Sequence, residues 1–221
     1  MVVRKHTVGR ETNVCIIPTV LYVDTTISSE HLKELKELTK NILENPSNFE
    51  PYNNNLAGNL EKEFVLSNGR KIIEPYLTSL VKSYLKQCDT KVKNLKLEFS
   101  DAWVNFQKKY EFNPIHCHSG QYSYVLWVQI PYDLEEEISL SNCMNSNFPM
   151  NSFFSFSFTD FLGKLVDERL PVDKSWEGRI ILFPAKLHHQ VYPFYTSDDY
   201  RISISGNIKI MPHQKNTFDY G

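Results

Sequence analysis

The sequence predicts a mainly β fold with helices at its N-terminal end. Residues 1–92 contain two amphipathic helical segments, whereas several short segments further along alternate apolar and polar residues with the period of a strand. No helical segment separates those strands, which disfavours a parallel sheet of βαβ units. Short strands joined by loops are typical of a two-sheet jelly roll or barrel. We therefore expect a single domain, 1–221, in which a helical flank (1–92) packs on a β core (93–212).

Two helices are predicted in the N-terminal part of the chain. The first runs over residues 28–45, where serines are available as N-caps, leucines recur with helical spacing and Pro46 ends the pattern. The second covers residues 71–87, with apolar side chains along one face. We expect Pro75 in the first turn of this helix, where a missing N–H costs little.

The β core is predicted from alternating and β-branched segments. The predicted strands are 14–24, which Pro18 interrupts, 94–107, 122–132, 154–159, 179–183 and 200–210. Between the second and third strands of the core, Leu134–Glu137 contains three glutamates. We expect this run to be a solvated loop, since a run of like charges is usually exposed to water.

Composition excludes several classes of function. The formal charge is −2, with 24 Lys and Arg against 26 Asp and Glu, so no overall field attracts nucleic acid or an anionic membrane. The four cysteines, Cys15, Cys88, Cys117 and Cys143, form no C-x-x-C pair, which favours reduced thiols over a zinc ribbon or disulfide framework. The chain contains neither the apolar segment of a signal peptide nor a membrane-spanning run of roughly 20 residues. We expect a cytoplasmic protein that does not bind membranes; the charge balance also argues against a nucleic-acid binder, without excluding a local basic patch.

The first candidate site is the segment 113–120, N-P-I-H-C-H-S-G. On an extended chain, residues i and i+2 point to the same side, so His116 and His118 can reach one metal ion while Cys117 faces away. Most H-x-H triplets lie in surface loops or pack without a metal, so the rest of a metal site has to be sought elsewhere.

A second histidine pair, His188–His189, follows a predicted strand and a proline. One histidine of this pair would complete a three-point set with the H-x-H segment and leave open positions on the metal for a chelating cosubstrate and dioxygen. Further along, Arg201 offers a planar charged fork for a carboxylate, and Ser203 adds a hydroxyl on the same face of the strand.

Five sequence words in this order resemble a subgroup of iron(II)/2-oxoglutarate-dependent dioxygenases that is common in bacteria and phages. The resemblance covers roughly residues 95–210. The words are W-V-N-F (103–106), N-P-I-H-C-H-S-G (113–120), G-R-I-I-L-F-P (178–184), H-H-Q-V-Y-P (188–193) and R-I-S-I-S-G-N (201–207).

This resemblance implies a double-stranded β-helix whose mouth holds Fe(II), with 2-oxoglutarate and O2 as cosubstrates. His116 takes the place of the first ligand. His189 rather than His188 takes the distal place, because the family pattern is H-x-V-x-P. His118 stands where most members of the wider superfamily have Asp or Glu, so the ligand set becomes three neutral histidines. Before the cosubstrate binds, we therefore expect this protein to bind Fe(II) more weakly than a relative with a carboxylate ligand does.

The resemblance also implies residues that bind the cosubstrate. Arg201 and Ser203 would hold the distal carboxylate of 2-oxoglutarate. Asn105 lies where related enzymes place a polar group against the cosubstrate, although an amide that bonds a loop backbone is an equally good interpretation. Trp127 falls where the family often has a tyrosine, and its indole N–H can donate the same bond. A tryptophan on a β core is, however, more often simply a buried packing residue.

The function that follows is hydroxylation of a C–H bond of an unidentified prime substrate, with release of succinate and CO2. Two alternatives stay open: a non-catalytic jelly-roll module with a degenerate metal site, and a zinc-dependent hydrolase that uses the same three histidines. A cupin is disfavoured, since Tyr122 and Ser123 occupy the positions where that pattern needs a glutamate.

Overall fold

A computed structural model describes residues 4–8, 12–16, 21–66, 68–88, 90 and 95–211. Over these residues, a six-stranded and a four-stranded antiparallel sheet pack face to face, and two long helices lie on the outer face of the larger sheet. A separate sheet has two strands. The expected mainly β jelly roll with flanking helices is therefore confirmed. The predicted strand at 14–24 is described only at its two ends, and Pro18 lies outside the described residues.

The helices and strands of the described residues, in chain order, are β1 (Arg4–Val8), β2 (Thr12–Ile16), β3 (Val23–Thr26), α1 (Ser29–Glu44), β4 (Lys62–Val65), α2 (Arg70–Gln87), β5 (Leu97–Gln107), β6 (Asn113–His116), β7 (Tyr122–Gln129), α3 (Leu134–Ser139), β8 (Phe154–Thr159), β9 (Leu165–Leu170), β10 (Arg179–Pro184), β11 (His188–Val191) and β12 (Arg201–Ile210).

The larger sheet has the strand order β3-β10-β7-β12-β5-β4, and the smaller has the order β6-β11-β8-β9. All pairings in both sheets are antiparallel, as in a jelly roll. Strands β1 and β2 pair with each other. Strands β3 and β4 come from the N-terminal part, so that part supplies an edge on each side of the larger sheet as well as helices.

The space between the two sheets is filled mainly by aromatic side chains. Val125, Trp127, Ile181 and Phe183 project from the larger sheet and meet Phe154 and Phe156 from the smaller one. Large aromatic side chains bury much apolar area with few rotatable bonds, which favours a rigid interior. This interior forms the floor beneath the candidate site.

The opposite face of the larger sheet is covered by α1 and α2. Leu35 of α1 and Leu77 of α2 have no exposed surface, and both belong to one apolar cluster with Val104, Leu126 and Ile204 of the sheet. The alternation along β5, β7 and β12 thus sends one set of side chains to the helices and the other set toward the smaller sheet.

The helix ends agree with the sequence, with one exception. The Ser28 hydroxyl accepts a hydrogen bond from the His31 N–H at 3.2 Å, as expected of an N-cap. In α2, however, Pro75 lies inside the helix, beyond its first turn. The expectation of a first-turn proline is wrong because the helix begins at Arg70, so the carbonyl one turn earlier loses its usual N–H partner.

The acidic run is helical and not a solvated loop. Glu135 and Glu136 are exposed, but Glu137 has no exposed surface. The Glu137 carboxylate accepts hydrogen bonds from the backbone N–H groups of Tyr195 and Thr196 and from the Thr196 hydroxyl. Charge density alone predicted the wrong environment, since the partners of Glu137 lie almost 60 residues away in the sequence.

Two expectations from composition can be compared with the described residues. Cys88, Cys117 and Cys143 are free thiols, as their scattered positions indicated. Over the same described ranges, none of the helices combines the length and the apolar character that a membrane crossing requires.

We predict that Leu77→Ala lowers the free energy of unfolding by about 2–5 kcal/mol, because it opens a cavity between α2 and the sheet. Chemical denaturation followed by circular dichroism measures the change. The control is Lys82→Ala on the exposed face of the same helix, which should change stability by less than about 0.5 kcal/mol. Equal effects of the two substitutions would contradict the packing of α2 described above.

Candidate metal centre

The three candidate histidines come from two parts of the chain that meet in the smaller sheet. His116 ends β6, and His189 lies directly opposite it on the paired strand β11. His118 follows two residues after His116, and its backbone N–H donates to the Ala185 carbonyl at 2.8 Å. Strand pairing and this loop bond together bring the H-x-H segment beside the second histidine pair.

The imidazole rings of these residues converge on one point. A ring nitrogen from each of His116, His118 and His189 lies within 4.8 Å of the other two. The ring centroids are 4.3 Å apart for His116 and His189, 4.9 Å for His116 and His118, and 5.0 Å for His118 and His189. His188 is exposed on the other face of β11, as expected from the alternation of side chains along a strand.

Two of the rings are oriented by backbone carbonyls. Nδ1 of His116 lies 2.7 Å from the Pro114 oxygen, and Nδ1 of His189 lies 2.9 Å from the Leu187 oxygen. A carbonyl only accepts hydrogen bonds, so each Nδ1 carries the proton and Nε2 is left with a free lone pair. This arrangement, in which the second ring nitrogen fixes the tautomer, is usual for metal-binding histidines.

Burial keeps the three imidazoles neutral. It lowers the pKa of His116, lowers the pKa of His118 to about 4 and lowers the pKa of His189 to about 3, with mutual repulsion of the rings as a smaller cause in the last two. A metal competes with protons for the same nitrogen lone pair, so neutral rings are ready to coordinate at neutral pH. Three imidazole donors suit iron, zinc, copper or nickel, and these residues therefore fit an Fe(II) ion.

The walls around the histidines are aromatic. His189 packs against Phe154 and Phe183, with ring centroids 5.7 and 4.9 Å away, and His118 lies 5.6 Å from the Trp103 ring. The Trp103 contact is notable because Trp103 belongs to the larger sheet. It places the H-x-H segment directly across from β5.

Strands β5 and β12 form the facing wall of the cavity with three polar cross-strand pairs. The pairs are Arg201 with Gln107, Ser203 with Asn105, and Ser205 with Trp103. Directly opposite residues in antiparallel strands project to the same side, so all six line the cavity that also contains the three histidines. From the N-terminal part of the chain, Leu56 and Ala57 line the same cavity.

The residues that the resemblance linked to the cosubstrate therefore lie together. Asn105 donates a hydrogen bond to the Ser203 hydroxyl at 3.2 Å, and Trp127 faces Ser203 from β7. Trp127 is also packed edge-on against Trp176 and Phe154, so it is both a packing residue and a cavity wall.

Arg201 is buried beside the cavity, with 2% of its surface exposed. Its hydrogen-bond partners are the side chains of Gln107 and Tyr132 and the carbonyls of Ser152 and Tyr192. These partners are all neutral, and the buried carboxylate of Glu137 is held by the 195–196 amides. A buried guanidinium without a bonded anion is costly, which is a physical reason to expect an anionic ligand here.

Sequence reasoning missed Glu63, which extends one polar row across the sheet. Glu63 on β4 lies opposite Asn105, so it projects from the same face as Asn105 and Ser203. It is fully buried, and neither carboxyl oxygen has a hydrogen-bond partner. Burial, with a smaller contribution from the charge of Glu111, raises the pKa of Glu63 to about 7. Only the pairing of β4 with β5, which local patterns do not reveal, could have identified it.

The model of a protein family described as "Putative 2OG-Fe(II) oxygenase" matches residues 101–207. The matched segment begins on β5, ends on β12 and contains all three histidines, Arg201 and Ser203. Residues 101–207 are thus similar to the 2-oxoglutarate/Fe(II) oxygenase family. The expected enzyme class is thereby confirmed, and the cofactors that this family implies are Fe(II), 2-oxoglutarate and O2. No curated protein sequence matches the chain.

Solved structures, among them a prolyl hydroxylase and an oxygenase, share the fold. A prolyl-4-hydroxylase from Pseudomonas putida superposes with a TM-score of 0.54 at 10% identity, covering 88% of this chain and 95% of that one. An oxidoreductase of the 2OG-Fe(II) oxygenase family from Burkholderia pseudomallei gives 0.52 at 10%, covering 85% and 84%. AviO1 from Streptomyces viridochromogenes Tue57 gives 0.52 at 11%, covering 86% and 90%. The shared fold therefore extends beyond residues 101–207 into the N-terminal part of this chain.

We predict a pH-dependent stability that originates at Glu63. Its carboxyl has a folded pKa of about 7 against an ordinary value of 4.5, so between these values the folded protein binds more protons than the unfolded one. The stabilisation is complete below pH 4.5 and is lost as the pH rises through 7, by about 3 kcal/mol in total.

Denaturation of the native protein and of Glu63→Gln from pH 4.5 to 8 tests this. The difference between their free energies of unfolding should change with pH, because the amide does not titrate. Glu61→Gln, at an exposed position beside β4, should leave the pH dependence of the native protein unchanged. A constant difference between native protein and Glu63→Gln would contradict the buried carboxyl.

Proposed function

We propose that this protein is a 2-oxoglutarate-dependent hydroxylase in which His116, His118 and His189 bind Fe(II). The observation that carries the proposal is the convergence of three ring nitrogens within 4.8 Å in a cavity that is also lined by a buried arginine. A structural cluster of neutral histidines would not need an unneutralised guanidinium beside it. A cosubstrate with a chelating end and a carboxylate end uses both features.

In this proposal Arg201 and Ser203 hold the distal carboxylate of 2-oxoglutarate. The Arg201 guanidinium supplies the positive charge and parallel N–H donors. Ser203 accepts a hydrogen bond from Asn105, so the hydroxyl proton of Ser203 is left to donate to the ligand. Asn105 thus acts on the cosubstrate by orienting Ser203. The Trp127 indole lies beside Ser203 on the neighbouring strand β7.

With iron bound, 2-oxoglutarate and O2 supply the oxidising power that converts a C–H bond of the prime substrate into C–OH, while 2-oxoglutarate becomes succinate and CO2. The protein contributes position and environment. The Pro114 and Leu187 carbonyls hold two of the imidazoles in orientation. Phe154, Phe183 and Trp103 limit the access of water around the rings.

We predict that the native protein binds Fe(II) under anaerobic conditions and binds it more tightly with 2-oxoglutarate present. His189→Ala should weaken Fe(II) binding by more than roughly 10- to 100-fold, which is the usual cost of losing a residue that only hydrogen-bonds to a metal ligand. His188→Ala is the matched control and should change the affinity by less than about twofold, since this ring is exposed on the opposite face.

Anaerobic titration gives the affinities, and succinate release in the presence of candidate substrates reports turnover. Binding of neither iron nor 2-oxoglutarate would favour the non-catalytic module. Metal-dependent hydrolysis that is indifferent to 2-oxoglutarate would favour the zinc hydrolase.

We predict that His118→Asp binds Fe(II) about tenfold or more tightly than the native protein in the absence of 2-oxoglutarate. A carboxylate adds a negative charge beside a divalent cation in a mostly buried site, where charges interact strongly. His118→Ala should bind the metal more weakly than either protein. If all three proteins have the same affinity, His118 is not a ligand.

A further inference from the structure

All five N–H groups of Arg201 have hydrogen-bond partners. Nη1 donates to the Tyr132 hydroxyl at 2.7 Å and to the Ser152 carbonyl at 2.9 Å. Nη2 donates to the Tyr192 carbonyl at 2.7 Å. The remaining donors, on Nε and Nη2, both point at Oε1 of Gln107, at 3.1 and 2.7 Å. A carboxylate that binds Arg201 must therefore replace one of these partners.

The partners differ in where they lie. Of the four residues that accept from Arg201, Gln107 is the one that lines the cavity shared with the histidines, as far as the described residues extend. The edge formed by Nε and Nη2 thus faces the cavity, whereas the remaining donors face the surrounding protein. Any ligand that enters from the cavity meets the edge that Gln107 covers.

The Gln107 oxygen occupies the position that a carboxylate takes on arginine. A carboxylate typically accepts two parallel N–H bonds from one edge of the guanidinium. The Gln107 amide accepts the same two bonds but carries no charge, so the buried cation gains hydrogen bonds without a counter-ion. Replacement of the amide by a carboxylate would keep the bonds and add the missing charge.

Gln107 is also the partner that is easiest to displace. Ser152 and Tyr192 contribute backbone carbonyls, which are fixed by the path of the chain. The Tyr132 ring is fully buried and packs on Phe194. Gln107 needs only rotations of its side chain to leave the arginine, at the cost of the bond from its Nε2 to the Glu111 carbonyl.

We propose that Gln107 is an internal substitute for the distal carboxylate of the cosubstrate and determines how strongly the site selects a dicarboxylate. This inference rests on the proposed function. A 2-oxo acid binds Arg201 only if it carries a second carboxylate that can displace Gln107 from the guanidinium. A shorter acid leaves the amide in place and gains nothing from the arginine.

The test compares Gln107→Glu and Gln107→Met with the native protein. Calorimetry measures the binding of 2-oxoglutarate and of oxalate to the Zn(II)-loaded proteins, which cannot turn over. Oxalate chelates a metal but has no distal carboxylate, so it reports the metal site alone. Thermal unfolding of each protein without ligand checks that the variants are folded.

We expect Gln107→Glu to weaken 2-oxoglutarate binding about 10- to 100-fold, because a permanent carboxylate occupies Arg201. Gln107→Met fills a similar space without an acceptor oxygen and should strengthen binding about three- to tenfold. Oxalate affinity should stay within about twofold in both variants. Native 2-oxoglutarate affinity in Gln107→Glu, or weaker binding in Gln107→Met, would overturn the inference.

A second measurement uses only the native protein and so does not depend on the folding of a variant. The side-chain amide resonances of Gln107 in the Zn(II)-loaded protein should shift on addition of 2-oxoglutarate and stay in place on addition of oxalate. Resonances that are insensitive to both ligands would overturn the inference. Failure of the native protein to bind 2-oxoglutarate at all would instead overturn the proposed function, and this inference with it.

Discussion

The candidate site depends on the position of β12 between β5 and β7. The pairing of β12 with both neighbours is antiparallel, and its register places Arg201 opposite Gln107 and Ser203 opposite both Asn105 and Trp127. A shift of one residue would turn these polar groups toward the helices and bring isoleucines into the cavity. The apolar cluster beneath α1 and α2, which includes Ile202 and Ile204, is what makes such a shift unfavourable. Packing of α1 and α2 on one face of the sheet thus determines which side chains of β12 face the cavity on the other.

The site contains several polar groups whose burial opposes folding. The three neutral imidazoles, the Arg201 guanidinium and the Glu63 carboxyl all lie in surroundings that disfavour their charged forms or leave a charge without a counter-ion. Elsewhere a buried charge is fully bonded, as Glu137 is by the amides of the 195–196 segment. This contrast between a satisfied structural carboxylate and the incompletely neutralised groups near the cavity is typical of a functional site.

The sequence predicted the core of the fold and the three histidines that converge in the structure, because both leave local patterns. Alternation located β5 and β8, and apolar, β-branched segments located β7, β10 and β12. The H-x-H spacing indicated His116 and His118, and the family pattern H-x-V-x-P indicated His189. Pairing between distant segments leaves no such pattern. For that reason β4, Glu63 and the contact of Gln107 with Arg201 were missed, and Glu137 was assigned to solvent. The short strands β6 and β11 were also hidden, since their polar residues resemble those of loops.

Leu56 and Ala57 line the cavity, yet they lie outside the segment 101–207 that matches the oxygenase family. The proposed metal-binding and cosubstrate-binding positions all fall inside that segment. Residues 101–207 thus contain the segment that matches the family. Leu56 and Ala57 complete a part of the cavity wall that the prime substrate would meet on entering. Under the proposed function, changes in this preceding loop would alter the wall that the prime substrate meets while leaving the proposed iron-binding and cosubstrate-binding residues in place.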